Sequence, residues 1–305
     1  MSEKVQVDRK IILDKYDLNW LIPDQMIVCI GPTNSGKTKL GWDICWHLRK
    51  HIPLGCVFSK TAEANSDYKK IFPGLFIHEQ FKPKILERMI NQRKRLFAFF
   101  KQRNQEAIKK YNINERVLFV ADDCMADKTW QKEESTRSMF FEGRHYGFTF
   151  LFMMQYPLSI QPDERGQLKK IFLFPADDPG TTERYFDHYA KGIVPDKRTF
   201  KKIMERLAQP DEFDEDGEPI KPHRCLVIDR DKQGTDWRDK CFWFQCEVRH
   251  RFPFNSEIAW EYHQKNYCKN WLFRDQMKKK KESHSREAPV DSDGFRIILD
   301  DGKEK

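Results

Sequence analysis

Residues 31–38 constrain the fold more than any other stretch, because they read GPTNSGKT and fit the pattern G-x-x-x-x-G-K-[ST]. This pattern is typical of a phosphate-binding loop, or P-loop. A loop that wraps a diphosphate must turn its backbone N–H groups inward, and glycine tolerates the dihedral angles that this requires. The pattern predicts that Lys37 reaches the β- and γ-phosphates and that the Thr38 hydroxyl ligates Mg²⁺.

The sequence on either side of this loop fits the same prediction. Residues 26–30 form a short apolar run typical of a buried strand, and Leu40, Ile44 and Leu48 recur at helical spacing. The positive N-terminal end of such a helix would face the phosphates. The predicted nucleotide-binding residues are Gly31, Pro32, Thr33, Asn34, Ser35, Gly36, Lys37 and Thr38.

Polar residues follow two further apolar runs. The first run, VLFVADD at residues 117–123, predicts a buried parallel strand with two carboxylates at its C-terminal end, where ligands bind in open α/β sheets. We expect Asp122 to hold Mg²⁺, directly or through water, and Asp123 to orient and deprotonate the attacking water. The second run, at residues 148–154, ends on Gln155. Its amide could sense the γ-phosphate or the water, or it could be an ordinary residue at a strand end.

Composition sets the broad class of protein. The chain has 305 residues, enough for one large α/β domain or two small ones. It carries no apolar run of the roughly 20 residues that a membrane span needs, and its first residues do not resemble a signal peptide, so we expect a cytosolic setting. The net charge of +8 permits nucleic-acid binding without requiring it.

Two basic segments and a group of cysteines have more than one interpretation. A long helix is predicted near residues 82–110, and its basic face, which includes Arg93, Lys94 and Arg95, is more typical of a solvated surface than of a DNA contact. A zinc site near residues 223–250 is disfavoured because no CxxC pair is present. We predict a P-loop ATPase domain at 1–265, with its core at about 20–250, and a flexible lysine-rich tail at 266–305. The role of the lysine run at 278–281 stays open between DNA contact, nuclear targeting and solubility.

The order and spacing of five segments resemble a known family. The segments are GPTNSGKT, VLFVADDCMAD, GRHYGFTFLFMMQYP, ERGQLKKIFLF and CLVIDRDKQGTD. Together they resemble the genome-packaging ATPases of nucleocytoplasmic large DNA viruses, which belong to the FtsK/HerA superfamily of P-loop ATPases. The resemblance covers roughly residues 20–250 and is more specific than any one segment.

This resemblance implies an α/β fold of the RecA-like P-loop NTPase (ASCE) class. The central sheet would be mostly parallel and flanked by helices, with additional strands at the C-terminus. The strand ending in Gln155 would lie between the P-loop strand and the Asp122 strand. Gln155 matches the polar sensor of the family, and Arg144 matches an arginine finger that acts across a subunit interface. Arg165 is the second candidate for that finger.

The resemblance also implies an activity and partners. ATP hydrolysis with Mg²⁺ would drive double-stranded DNA into a preformed capsid, through a homo-oligomeric ring of five or six subunits. Packaging proteins at a capsid vertex or a membrane would be further partners. The expected location is the viral factory in the host cytoplasm, with the virion as a second. The chain departs from many superfamily relatives in carrying Asp123 where they carry Glu, and we find no added DNA-orienting domain.

Three alternatives stay open. A cellular-type FtsK/HerA-like DNA translocase would share the same motifs without a capsid role. A P-loop kinase would need an acceptor pocket and an arginine-bearing lid, whereas two aspartates with a glutamine suit water as the nucleophile. A nucleotide-dependent scaffold would bind without hydrolysing, which the intact Lys37, Thr38, Asp122 and Asp123 disfavour.

Overall fold

The computed structural model describes residues 10–60, 68–103, 114–124, 130 and 133–267, without the side chains of 99–103. The strands are β1 (Met26–Ile30), β2 (Leu54–Ser59), β3 (Ile77–His78), β4 (Val117–Asp122), β5 (Phe148–Met154), β6 (Lys170–Leu173), β7 (Arg224–Asp229) and β8 (Cys241–Gln245). The helices are α1 (Lys37–Leu48), α2 (Pro83–Arg103), α3 (Glu134–Glu142), α4 (Pro162–Arg165), α5 (Pro179–Tyr185), α6 (Lys197–Ala208) and α7 (Glu257–Asn266). A π-helical turn, Phe186–Ala190, follows α5 directly.

The strands in the described part of the chain form one sheet in the order β3-β2-β4-β5-β1-β6-β7-β8. The pairs from β3 to β6 are parallel, and β7 and β8 are added antiparallel at one edge. The predicted α/β class, with a mostly parallel sheet and additional C-terminal strands, is therefore confirmed. The strand β5 lies between β1 and β4, as the resemblance implied.

The sheet is buried on both faces, which is why its central strands read as continuous apolar runs. Every residue of β1, β4 and β5 is buried. One face packs against α1 through residues that include Leu40, Ile44 and Leu48. A Cβ atom at Gly41 would lie 2.5 Å from the Met153 sulfur, so α1 packs very close to β5. This contact holds the helix that follows the P-loop firmly on the central strands.

The basic face of α2 differs from the prediction at one residue. Arg93 is only 8% exposed, and its Nε donates a hydrogen bond to the Tyr146 carbonyl at 3.2 Å. The expectation of a solvated Arg93 is therefore wrong, because its guanidinium lies over the Phe97 ring and near Glu115. The helix prediction over 104–110 lies outside the described residues.

The chain has two contact-defined units, residues 1–263 and 264–305. In the first, β7 and β8 pair with each other antiparallel. The lysine run at 278–281 and the rest of the predicted tail beyond residue 267 lie outside the described residues, so the domain boundary stays a prediction. Among the described helices, none combines the length and apolar character needed to cross a membrane.

Candidate functional site

The P-loop connects β1 to α1 and is closed by strained backbone positions. The Gly31 N–H donates to the Met154 carbonyl at 3.1 Å, which ties the start of the loop to the end of β5. Asn34 and Gly36 have positive φ angles of 58° and 109°, a region that favours glycine. A Cβ at Gly36 would also lie 2.9 Å from His223 Nδ1. The loop therefore needs glycine at position 36 for both its backbone angle and its space.

Lys37 lies inside this loop, at the first position of α1. Its side chain is buried, and Nζ donates to the carbonyls of Gly31 at 2.9 Å and Pro32 at 2.8 Å. Burial lowers the pKa of Lys37, and the negative charges of Asp123 and Asp122 oppose that shift. The lysine and the two acids therefore share one electrostatic environment. Thr38 follows on the exposed side of α1.

Asp122 ends β4 as a buried carboxylate that accepts a short hydrogen bond. Its Oδ2 accepts a hydrogen bond of 2.7 Å from the Tyr68 hydroxyl. Burial raises the pKa of Asp122 to about 6, while the Tyr68 hydrogen bond and Lys37 act in the opposite direction. The next residue, Asp123, has a positive φ of 47°, and its N–H donates to the Met153 carbonyl at 3.0 Å. The chain thus turns at Asp123, directly after the last residue of β4.

Gln155 bridges the P-loop and the acid pair. Its Nε2 donates to Asp123 Oδ2 at 2.7 Å, and its Oε1 accepts from the Thr33 hydroxyl at 3.2 Å. One side chain at the end of β5 therefore links the loop after β1 to the acids after β4. This placement favours the functional interpretation of Gln155 over that of an ordinary strand-end residue.

The oxygen donors beside the loop have the chemistry that Mg²⁺ prefers. Mg²⁺ is bound by hard oxygen ligands, often one or two carboxylates together with phosphate oxygens and water. The residues predicted to hold it are Thr38 and Asp122, which offer a hydroxyl and a carboxylate. Neither side chain carries a sulfur or an imidazole nitrogen. The donor set therefore fits Mg²⁺ better than it fits a softer metal.

The structure does not place Arg144 with these residues. Arg144 is in the 3₁₀ turn Gly143–Tyr146, which precedes β5, whereas Gln155 follows that strand. Seven strand residues span about 20 Å, so Arg144 lies at the opposite end of the sheet from Asp123 in its own chain. The Arg144 side chain is exposed and makes no hydrogen bond or ion pair within the described residues.

The guanidinium of Arg165 is engaged by groups other than the site residues. Its Nε donates to the Ile160 carbonyl at 2.9 Å, and Nη1 lies 2.9 Å from His188 Nδ1. The Arg165 guanidinium carbon is also 5.9 Å from the centre of the Tyr189 ring. These contacts fasten Arg165 to the segment between β5 and β6 and to the π-helical turn.

Three residues of the site were not singled out for it by the sequence. Tyr68 comes from a short turn after β2 and reaches Asp122. His223 and Cys246 support the loop from behind: His223 Nδ1 lies 3.1 Å from the Ser35 carbonyl, and Cys246 Sγ lies 3.8 Å from the Gly36 carbonyl. No sequence pattern signals these contacts, because each residue belongs to another element.

A pocket of about 280 Å³ adjoins Thr38 on the outer side of α1. The chain after β8 forms one wall and is fastened to α1 by Asp43, which is fully buried. Asp43 accepts hydrogen bonds from the Arg249 side chain and, at 2.8 Å, from the Glu247 N–H. The other lining residues are Lys39, Trp42, Lys70 and Val248.

Sequence comparison finds relatives in giant viruses. Protein L437 of Acanthamoeba polyphaga mimivirus is 31% identical over 259 residues, which is 85% of each chain. The chain belongs to the family of this mimivirus protein. Protein 015R of Frog virus 3, a second relative, is 29% identical over 77% of this chain and 66% of its own. No family model matches the sequence.

Some solved structures are also similar to this chain. One is the genome-packaging NTPase B204 of Sulfolobus turreted icosahedral virus 2 in complex with ATP-gammaS. The match covers 77% of this chain and 100% of that chain, at 12% sequence identity and a TM-score of 0.47. The relatives found by sequence are proteins of large DNA viruses, the kind of source that the resemblance implied. At this identity and TM-score no site residue is transferred from the solved structure.

Proposed function

We propose that this protein is an ATPase that packages viral DNA, in which ATP hydrolysis drives double-stranded DNA into a preformed capsid. The observation that carries the ATPase part is the Gln155 bridge between Thr33 of the P-loop and Asp123. Because of this bridge, the phosphate-binding loop and the candidate base face the same space. The giant-virus family and the five-segment motif order support the packaging part.

In this proposal the residues of the loop bind the triphosphate. Backbone N–H groups of residues 31–38 surround the phosphates, and the positive end of α1 faces them. Lys37 neutralises charge on the β- and γ-phosphates, exchanging its present carbonyl partners for phosphate oxygens. Thr38 and Asp122 would hold Mg²⁺, which supplies charge neutralisation to the phosphates when bound.

Asp123 and Gln155 act on the attacking water. Asp123 accepts a proton from the water as its oxygen attacks the γ-phosphorus. The bond between that phosphorus and the β,γ-bridging oxygen breaks, so ADP and inorganic phosphate leave. Gln155 orients the Asp123 carboxylate and connects it to the loop that senses the γ-phosphate. The proton is then released to solvent.

Arg144 completes the site from a neighbouring subunit in our proposal. Its exposed position and its lack of partners within the described residues suit a residue that serves another protomer. An arginine supplied in trans requires a homo-oligomer, and head-to-tail contacts close into a ring. We propose a ring of five or six subunits around the DNA. The packaging partners of this ring would lie at a capsid vertex or a membrane. The ring would work in the cytoplasmic viral factory or in the virion. Arg165 is the weaker candidate because its guanidinium already has partners.

The direct test is ATP turnover by the purified full-length chain, measured with and without long duplex DNA, alongside its mass in solution. We expect turnover that requires Mg²⁺ and rises several-fold with duplex DNA under conditions where the protein is oligomeric. Turnover that ignores duplex DNA would contradict the translocation part. Phosphoryl transfer to a small acceptor instead of water would favour the kinase, and binding without turnover would favour the scaffold.

A further inference from the structure

Tyr68 makes a close side-chain contact with the predicted metal ligand Asp122. The tyrosine is only 3% exposed and Asp122 only 6%, and their oxygens lie 2.7 Å apart. A hydrogen bond to a carboxylate is a strong one, because the acceptor is charged. Burial excludes the water that would otherwise compete for the same carboxylate oxygen.

The Tyr68 ring is held in place by the rest of its turn. The Phe72 N–H donates to the Tyr68 carbonyl at 2.8 Å, and the Phe254 N–H donates to the Ile71 carbonyl at 2.9 Å. The Tyr68 and Phe72 ring centres are 6.4 Å apart within the buried cluster beneath α1. The hydroxyl therefore comes from a fixed point and cannot follow Asp122 if that side chain rotates.

We propose that Tyr68 is a positioning residue that fixes the Asp122 carboxylate for Mg²⁺ and does not itself contact the nucleotide. Its hydroxyl engages Oδ2, which leaves Oδ1 as the oxygen for the cation or a water bound to it. Partners behind a metal ligand orient it, and their loss costs roughly 10–100-fold in metal affinity or activity. The proposal rests on the ATPase function above and names a residue that this function had not included.

The test is binding of a fluorescent, non-hydrolysable ATP analogue to the full chain, with Mg²⁺ or with EDTA. In Tyr68→Phe the ring and its packing are kept and only the hydroxyl is lost. We expect Kd with Mg²⁺ to rise about tenfold and Kd in EDTA to change less than about twofold. The matched control is Tyr185→Phe, because Tyr185 is also a buried tyrosine but its hydroxyl makes no hydrogen bond to any residue that the structure describes. That variant should leave both constants unchanged.

A second background guards against a general defect in the Tyr68→Phe protein. If the hydroxyl acts through Asp122, adding Tyr68→Phe to Asp122→Asn should weaken Mg²⁺-dependent binding much less than it does in the wild type. Equal weakening with Mg²⁺ and EDTA, or none with Mg²⁺, would overturn the role of Tyr68 alone. A wild-type protein that binds the analogue in neither condition would instead overturn the ATPase function and this inference with it.

Discussion

At the scale of single residues, the site depends on a few hydrogen bonds that join three loops. Gln155 connects Thr33 to Asp123, and Lys37 is held by the carbonyls of its own loop. In the proposed mechanism each of these side chains serves either binding or hydrolysis, so their variants should separate the two steps.

Replacing Lys37 by alanine should strongly weaken nucleotide binding. The loop would lose its one buried cation, and hydrogen bonds to charged groups contribute about 1.5–3 kcal/mol, so affinity should fall by roughly 10²-fold. Calorimetric titration with ATP measures this, and Lys201→Ala on the exposed face of α6 serves as the control. Unchanged affinity in Lys37→Ala would contradict the P-loop assignment.

Gln155→Ala should keep binding but slow the chemical step. The variant frees Asp123 from its partner and disconnects it from Thr33, and misplacement of a reacting group costs on the order of 10²-fold in rate. Single-turnover phosphate release measures the step, with Kd for ATP measured in parallel. A normal rate would return Gln155 to the role of an ordinary strand-end residue.

At the scale of elements, the helix α1 is fastened to the chain that follows β8. Asp43 is fully buried and accepts hydrogen bonds from the Glu247 N–H and the Arg249 side chain. Arg249 also ion-pairs with Glu247 at 2.8 Å and lies 5.4 Å from the centre of the Trp46 ring. This fastening keeps the helix that starts in the P-loop against the wall of the neighbouring pocket.

Asp43→Ala should therefore destabilise the protein by about 3 kcal/mol, since it leaves Arg249 and the Glu247 N–H without their acceptor. Equilibrium unfolding in urea without nucleotide measures this change. The matched control is Glu205→Ala, which removes an exposed pair with Lys201 at 3.9 Å and should cost less than about 0.5 kcal/mol. A loss in Asp43→Ala no larger than in the control would show that the fastening is not structural.

The elements also show where sequence reasoning succeeds and where it fails. The P-loop and the acids after β4 were predictable because motif spacing and apolar runs are local signals, whereas the position of β5 between β1 and β4 was implied only by the family resemblance. The contact between Tyr68 and Asp122 joins residues 54 apart, and that between Asp43 and Arg249 joins residues 206 apart. No local pattern encodes such pairs. Arg93 was misjudged because a run of charge is usually solvated, and only the packed structure reveals what covers it.

At the scale of the whole molecule, one protomer brings together every group of the proposed site except the arginine finger. Arg144 stands at the other end of β5 from Asp123, so a single protomer cannot bring them together. A finger in trans contributes about 10³–10⁵-fold in rate in other NTPases. Full activity should therefore appear only when subunits meet.

Mixing two inactive proteins tests this dependence. Arg144→Ala subunits keep Asp123, and Asp123→Asn subunits keep Arg144, so in an equal mixture roughly a quarter of the interfaces hold both groups. We expect ATP hydrolysis in the mixture and almost none in either protein alone. In the control mixture, Arg165→Ala subunits take the place of the Arg144→Ala subunits. Absence of rescue at every mixing ratio, in samples confirmed to exchange subunits, would contradict the role of Arg144.

The central claim is that one site gathers triphosphate, Mg²⁺ and an activated water between the P-loop and the acids after β4. Its most direct test measures ATP binding and phosphate release in parallel, for the wild type and Asp123→Asn, with Mg²⁺ present. The account predicts equal binding by both proteins and phosphate release by the wild type alone. Phosphate release at the wild-type rate by Asp123→Asn would contradict it.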